Sequence, residues 1–218
     1  MRILRLGDEP AHGDREGWRM FVLETVKRTF EKLTGRDRPS RRDLQALVRA
    51  RKPNLFSFKD DGLTPNNAKL PLVIYRGVVR LPESLDPAAV FEELFASNGW
   101  QDSWRNGIYD FSHYHSRIHE VLGIARGMAR VQFGGSGGRK IHLKAGDVII
   151  MPAGTGHRRL SAADDLLVVG AYPGSGKYDE CRARRRDHDR ALVAIANVPL
   201  PRKDPVYGRD GPLVRLWR

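Results

Sequence analysis

Between Glu16 and Leu33 apolar residues recur at helical spacing, with Trp18, Val22, Val26, Phe30 and Leu33 set among Arg19, Lys27, Arg28, Glu31 and Lys32. Gly35 offers a stop. Ser40 then precedes Asp43 in the pattern of a capping box, and Leu44, Leu47 and Val48 supply a second apolar stripe. Two amphipathic helices are expected here, packed on the rest of the chain or on a partner subunit. From Pro53 the pattern changes. Residues 54–67 are rich in turn formers, with Asp61-Gly62 and Pro65-Asn66-Asn67 as punctuation. The β-branched stretch Pro71–Leu81 predicts a strand. Asp86-Pro87 reads as a helix start and Gly99 lies just past its end, with Val90, Phe91, Leu94 and Phe95 as the buried stripe.

After Gly99 the chain breaks into short strands separated by glycine-bearing turns. Expected strands are 108–115, 120–126, 129–133, 140–144, 147–151, 157–161 and 165–171. Many short strands at this pitch predict a mainly β fold, an antiparallel barrel or jelly roll. The expected division is a basic helical extension over residues 1–52 and a β-domain over 53–218. From Asn197 onward Pro199, Pro201, Pro205 and Pro212 predict an extended surface segment.

Candidate chemistry concentrates in two stretches. In the first, five residues separate Gly107 from His113, one separates His113 from His115, four separate His115 from Glu120, and six separate Glu120 from Gly127. In the second, Gly146 leads through Pro152 and Gly154 to His157. Side chains alternate across a strand, so His113 and His115 share a face, together with Tyr109 and Phe111. The turn after His115 lets Glu120 return on a neighbouring strand, and His157 must arrive at the start of a later one. Three imidazoles and a carboxylate suit iron(II), manganese, nickel, copper or zinc better than magnesium or calcium. Such a set leaves positions open on an octahedral ion, as a catalytic metal requires. His119 is the rival ligand, but its parity opposes that of Glu120. Arg159 shares the parity of His157 and could offer a fork to a carboxylate or phosphate. Trp104, Tyr109 and Phe111 are candidates for an apolar wall. His142 reads as solvent-facing, and His12 and His188 have no evident partner.

The two glycine-anchored stretches resemble the two motifs of the cupin superfamily, whose fold is a small β-barrel or jelly roll. The run Phe56-Ser57-Phe58-Lys59-Asp60-Asp61-Gly62, with Pro65-Asn66-Asn67, Asn98-Gly99-Trp100 and Trp104-Arg105-Asn106-Gly107, is similar to YjlB-type single-domain cupins. The resemblance spans about residues 54–218. It implies that His113, His115, Glu120 and His157 are metal ligands, and that homodimers are common. It also implies chemistry ranging over dioxygenation, isomerisation and decarboxylation. One departure is Ser161, where the second motif commonly carries asparagine.

Composition narrows the setting. The chain has 218 residues, 40% of them hydrophobic and 29% charged, in keeping with a globular protein. No apolar run approaches a membrane span, and Asp8 and Glu9 interrupt the N-terminus before any leader-like stretch develops. Cys181 is the single cysteine, which predicts a reducing, cytoplasmic setting. The net charge is +12, and residues 1–52 carry 14 Lys/Arg against 8 Asp/Glu, half of that excess. Without a helix-turn-helix, zinc-finger or RNA-stacking signature, this charge reads as an arginine-rich surface and not as a nucleic-acid interface. The function expected from the sequence is a metalloenzyme acting on a small polar organic molecule. The alternatives are a ligand-sensing module without catalysis and a nucleic-acid-associated protein using its basic helices.

Overall fold

The computed structural model describes residues 37–174 and 176–218. The expected helix over 16–33 lies outside them. Two antiparallel sheets face each other. Strands β1 (Asn54–Phe56), β2 (Leu72–Tyr75), β3 (Trp100–Asn106), β5 (Glu120–Arg126), β8 (Val148–Met151) and β10 (Leu167–Pro173) form one, in the order β1-β2-β8-β5-β10-β3. Strands β4 (His113–Tyr114), β6 (Met128–Phe133), β7 (Arg139–Lys144), β9 (His157–Ala162) and β11 (Cys181–Arg182) form the other, in the order β11-β4-β9-β6-β7. The mainly β barrel expected from the sequence is the fold observed.

The two sheets have different textures for a physical reason. In the smaller one β7 alternates, with Ile141 and Leu143 inward and Lys140, His142 and Lys144 in solvent. The larger sheet is buried on both faces, so its strands lose that alternation. Leu72, Ile74, Leu122, Ile124, Ile149 and Met151 fill the barrel interior. Val73, Tyr75, Val121, Ile150, Val169 and Ala171 pack outward under helices.

That outer layer is built from α1 (Arg41–Leu47), α2 (Pro87–Ser97) and the C-terminal segment with α4 (Pro212–Leu216). The capping box of Ser40 and Asp43 is formed, and Leu44 and Leu47 join the outer core. Asp86 caps α2 by accepting from the Ala88 N–H at 3.1 Å, with Pro87 in the first turn. Phe91 of α2 lies directly on Gly123 of β5, where a Cβ would sit 2.3 Å from the ring. Arg105 on β3 grips Glu92 through two bonds of 2.7 and 2.8 Å and Asp86 through a third of 2.8 Å, tying the helix to the sheet edge. Among the described residues no helix is long and apolar enough to cross a membrane.

Four expectations need correction. The stretch 71–81 is a strand only over Leu72–Tyr75, because Gly77 turns the chain away. The stretch 108–115 is a loop that becomes strand only at His113–Tyr114. Helix α3 (Arg185–Ala196) and strands β1, β3 and β11 are additions to the expected elements. The C-terminal segment does not lie extended on the surface: Val206, Leu213 and Trp217 are buried in the outer core. Prolines interrupt its regular structure without preventing its apolar residues from packing. Buried Asp204 fastens it, accepting from the Tyr75 hydroxyl at 2.6 Å and from the amides of Val206, Tyr207 and Leu213. Asp204→Ala strands several buried donors and is expected to cost about 3 kcal/mol in urea unfolding. Stability within about 0.5 kcal/mol of the parent protein would contradict that role for the C-terminal segment.

Candidate metal centre

His113 and His157 are register partners across β4 and β9, which brings their rings to a centroid separation of 4.1 Å, tilted at 54°. His115 follows at the end of β4, where its carbonyl accepts the Gly154 N–H at 2.7 Å and joins the two motifs. Glu120 opens β5 on the opposite sheet, paired with Met151. Its neighbour Val121 faces the helices, so the strand alternation sends the Glu120 carboxylate inward. The structure thus brings together all four residues expected as ligands, each no more than 6% exposed.

The donor atoms converge. One ring nitrogen from each of His113, His115 and His157 lies within 4.8 Å of the others. Glu120 Oε2 is 3.4 Å from His115 Nε2 and 3.7 Å from His157 Nε2. A first-row ion with bonds of about 2.1 Å holds adjacent donors about 3 Å apart and opposite donors about 4.2 Å apart. The separations here lie in and just above that range. Each imidazole is oriented from behind by a carbonyl that accepts its Nδ1–H: Phe111 for His113 and Thr155 for His157, both at 3.2 Å, and Asp179 for His115. Nε2 is thereby aimed into the cavity, the arrangement that fixes the tautomer of a ligating histidine.

Burial holds His113 below the usual histidine range. His157 is held well below it by burial and by the charges of His113 and His115. His115 behaves differently: burial opposes its charge, but Glu120 and the Asp179 carbonyl outweigh burial and push it up to about 9. Glu120 Oε2 is buried and accepts no hydrogen bond. A carboxylate oxygen without a donor in a dry interior is costly, and a cation between it and the imidazoles removes that cost. The residues present therefore fit a divalent first-row ion.

The cavity beside them has a volume of about 650 Å³ and is walled by Trp104, Ile108, Tyr109, Ile118, Leu122, Tyr172 and Tyr178. Trp104 Nε1–H donates to the Tyr172 hydroxyl at 2.9 Å, and burial together with the Glu120 charge keeps that phenol protonated. Tyr109 lines the mouth and is 45% exposed. Phe111 sits outside the lining, stacked at 4.7 Å on Tyr109 and covered by the Arg182 guanidinium at 3.5 Å. Arg159 also lies outside it, since its Nε–H donates to the Ile108 carbonyl at 3.0 Å and braces the loop before β4. The parity of Arg159 is right, but its Nε–H is spent on backbone and the side chain does not line the cavity. Among the described residues Arg105 is the one lysine or arginine in the lining, and Glu92 and Asp86 already take up its guanidinium.

His119 turns away from the ligands, as its parity requires. Its Nδ1 accepts the Ala153 N–H at 3.0 Å, its ring lies 4.8 Å from that of Trp217, and burial lowers its pKa to about 4. His142 is exposed, and His188 is held between Asp60 and Asp189. Three supports were not anticipated. Asn67 donates to the Ala153 carbonyl at 3.0 Å, and Asn66 accepts the Gly156 N–H at 3.2 Å, so this pair clamps the loop that delivers His157. Asp179 accepts from the Ser116 amide and hydroxyl and the Arg117 amide while its carbonyl holds His115. Tyr172 shares the inward parity of Val168 and Gly170, a signal available once β10 is extended to Pro173. Nothing local marks Asp179, which acts through a tertiary contact.

Two outcomes follow from this arrangement. With its pKa pushed up to about 9, His115 would have to give up a proton to ligate a metal, since a ligating imidazole is neutral. Chelator competition should show affinity rising about tenfold per pH unit and levelling near pH 9; a flat profile over that interval would refute the His115–Glu120 pairing. Asp179→Ala is expected to weaken metal binding about 10- to 100-fold by freeing His115, with partial rescue in Asp179→Asn. Unchanged affinity in the alanine variant would remove Asp179 from the site.

Searching family models gave no match. The chain is 37% identical over 167 residues to the uncharacterized protein YjlB of Bacillus subtilis (strain 168), covering 77% of this chain and 98% of that one. Solved structures align over smaller parts. An acireductone dioxygenase from Bacillus anthracis, with cadmium in its active centre, matches at 18% identity and a TM-score of 0.30, covering 39% of this chain and 59% of the other. A variant of Bacillus subtilis oxalate decarboxylase matches at 20% and 0.32, over 53% of this chain and 28% of that enzyme. A DUF861 family protein from Thermotoga maritima matches at 20% and 0.29, over 45% and 96%. By its 37% identity to YjlB over nearly the whole of that protein, the chain belongs to the YjlB family, and its own two antiparallel sheets form the mainly β barrel expected from the sequence.

Proposed function

We propose that this protein is a metal-dependent enzyme acting on a small, uncharged, oxygen-bearing organic molecule. The observation that carries this reading is the buried, undonated Glu120 Oε2 facing the Nε2 atoms of His115 and His157. His113, His115, Glu120 and His157 would hold the ion. When bound, a first-row divalent ion supplies Lewis-acid polarisation of a substrate oxygen or, as iron(II), the capacity to react with dioxygen.

The chain's own residues supply the rest. Trp104, Tyr109, Tyr172 and Tyr178 present aromatic surface to a planar or apolar body. Tyr172 keeps its proton beside Glu120, placed to donate to an oxygen of the substrate. Gln101 and Asn106 line the same space and can meet hydroxyl or carbonyl groups. Among the described residues no uncommitted lysine or arginine lines the cavity, so beyond the ion and its histidines a free carboxylate or phosphate would find no side-chain counter-charge there. This favours a neutral substrate over the anionic one that Arg159 suggested.

Elemental analysis of untagged protein is expected to find about one first-row metal per chain, falling at least about tenfold in His113→Ala and His157→Ala. Metal content unaffected by both substitutions would contradict the reading. With iron(II) restored, oxygen uptake with neutral phenols and enols should exceed that with dicarboxylates. A metal-loaded protein that binds such molecules without turnover would be a sensing cupin instead.

A further inference from the structure

A second concavity, about 810 Å³ in volume, lies away from the metal centre. Strand β5 runs between the two. Glu120 begins it, and the Gly146 amide beside the second concavity binds the Ile124 carbonyl, about 14 Å further along at the usual strand rise. Arg49, Arg51, Arg76, Arg80 and Lys144 line this cleft, and no described carboxylate does. Arg76 alone is neutralised, with NH1 2.8 Å from Asp147 Oδ2. Arg49, Arg51, Arg80 and Lys144 make no ion pair among the described residues.

The backbone under these charges is fixed. Buried Asp147 accepts from the Gly77 amide at 2.7 Å and the Lys144 amide at 3.1 Å, pinning the two turns to each other. Gly146, at φ +90°, fits beneath them because a Cβ there would lie 2.7 Å from the Val79 carbonyl oxygen. The Arg49 amide donates to Val78 and the Arg80 amide to Leu47, both at 2.8 Å, on either side of the Val48–Val79 bridge. The Tyr207 hydroxyl donates to the Arg49 carbonyl at 2.8 Å and accepts the Arg51 amide at 2.9 Å. Cations on a pinned backbone lose less freedom on binding than cations on a free loop.

We propose that this cleft is a second ligand site, for a small molecule bearing two or more phosphate groups. Guanidinium forks match phosphate oxygens in pairs, and Lys144 adds a point charge. The volume lies within the usual range for small-molecule sites. No described aromatic residue lines the cleft, so the described residues offer no stacking platform for a single-stranded nucleic acid.

Calorimetric titration of the full-length protein with inorganic pyrophosphate, at fixed ionic strength, tests this. Saturable binding is expected, weakened about 30-fold in Arg49→Ser/Arg80→Ser and about fivefold in Lys144→Ser. Arg130→Ser, an exposed arginine outside the cleft, should leave it unchanged. Lys144 is exposed, so its variant preserves the test if the double variant fails to fold. Equal weakening by Arg130→Ser would show diffuse surface charge and overturn the proposal. So would absence of saturable binding, or binding lost in His157→Ala but kept in the cleft variants, which would place pyrophosphate at the metal centre. Tighter binding to duplex oligonucleotides than to pyrophosphate would overturn it in favour of nucleic acid.

Discussion

The buried carboxylate of Glu120, set against the imidazoles of His115 and His157, is the constraint around which this barrel is organised. A carboxylate 3% exposed, with one oxygen that accepts no hydrogen bond, is held against the Nε2 atoms of His115 and His157. Folding could have satisfied that oxygen with a backbone amide or a hydroxyl, as it does for Asp147 and Asp204 elsewhere in the chain. Instead, the imidazoles around it are each turned by a carbonyl that takes the Nδ1–H. Donors arranged this way repel or desolvate one another until a cation joins them.

The rest of the fold serves that convergence. The β4–β9 pairing sets His113 beside His157 within the smaller sheet, and Glu120 reaches them from the start of β5 in the larger one. The larger sheet is held rigid from behind by α2 and the C-terminal segment, through Phe91 on Gly123 and Asp204 on Tyr75. The loop before β9 is clamped by Asn66 and Asn67, and the residues after β10 return through Asp179 to hold His115. Side chains on short strands, oriented by carbonyls and braced by side-chain bonds, form a preorganised cluster.

The clustering of His113, His115, Glu120 and His157 was legible because its signal is local. Strand alternation is enough to put His113 beside His115 and to separate Glu120 from His119. The capping box at Ser40 and the Asp86-Pro87 start were legible for the same reason, since cap chemistry acts within one turn. What lay beyond reach was tertiary. Strand β3, Trp100–Asn106, is a polar edge with Asp102 at φ +52°, and only its pairing with β10 makes it a strand. Helix α3 buries little more than His188 and Ala191, too narrow a stripe to announce itself. Arg159 had the parity of a cavity residue, but parity does not say where a long side chain ends, and here it ends on the Ile108 carbonyl. The Pro-rich C-terminus misled because prolines report backbone conformation and not burial.

X-ray absorption at the metal edge tests the central claim most directly, since it counts and types the donors around a bound ion without reference to activity. Three imidazole nitrogens and one carboxylate oxygen at about 2.0–2.2 Å, with remaining positions filled by light atoms, is the result this account predicts. A spectrum with fewer than three imidazoles, or one unchanged by Glu120→Ala, would contradict it.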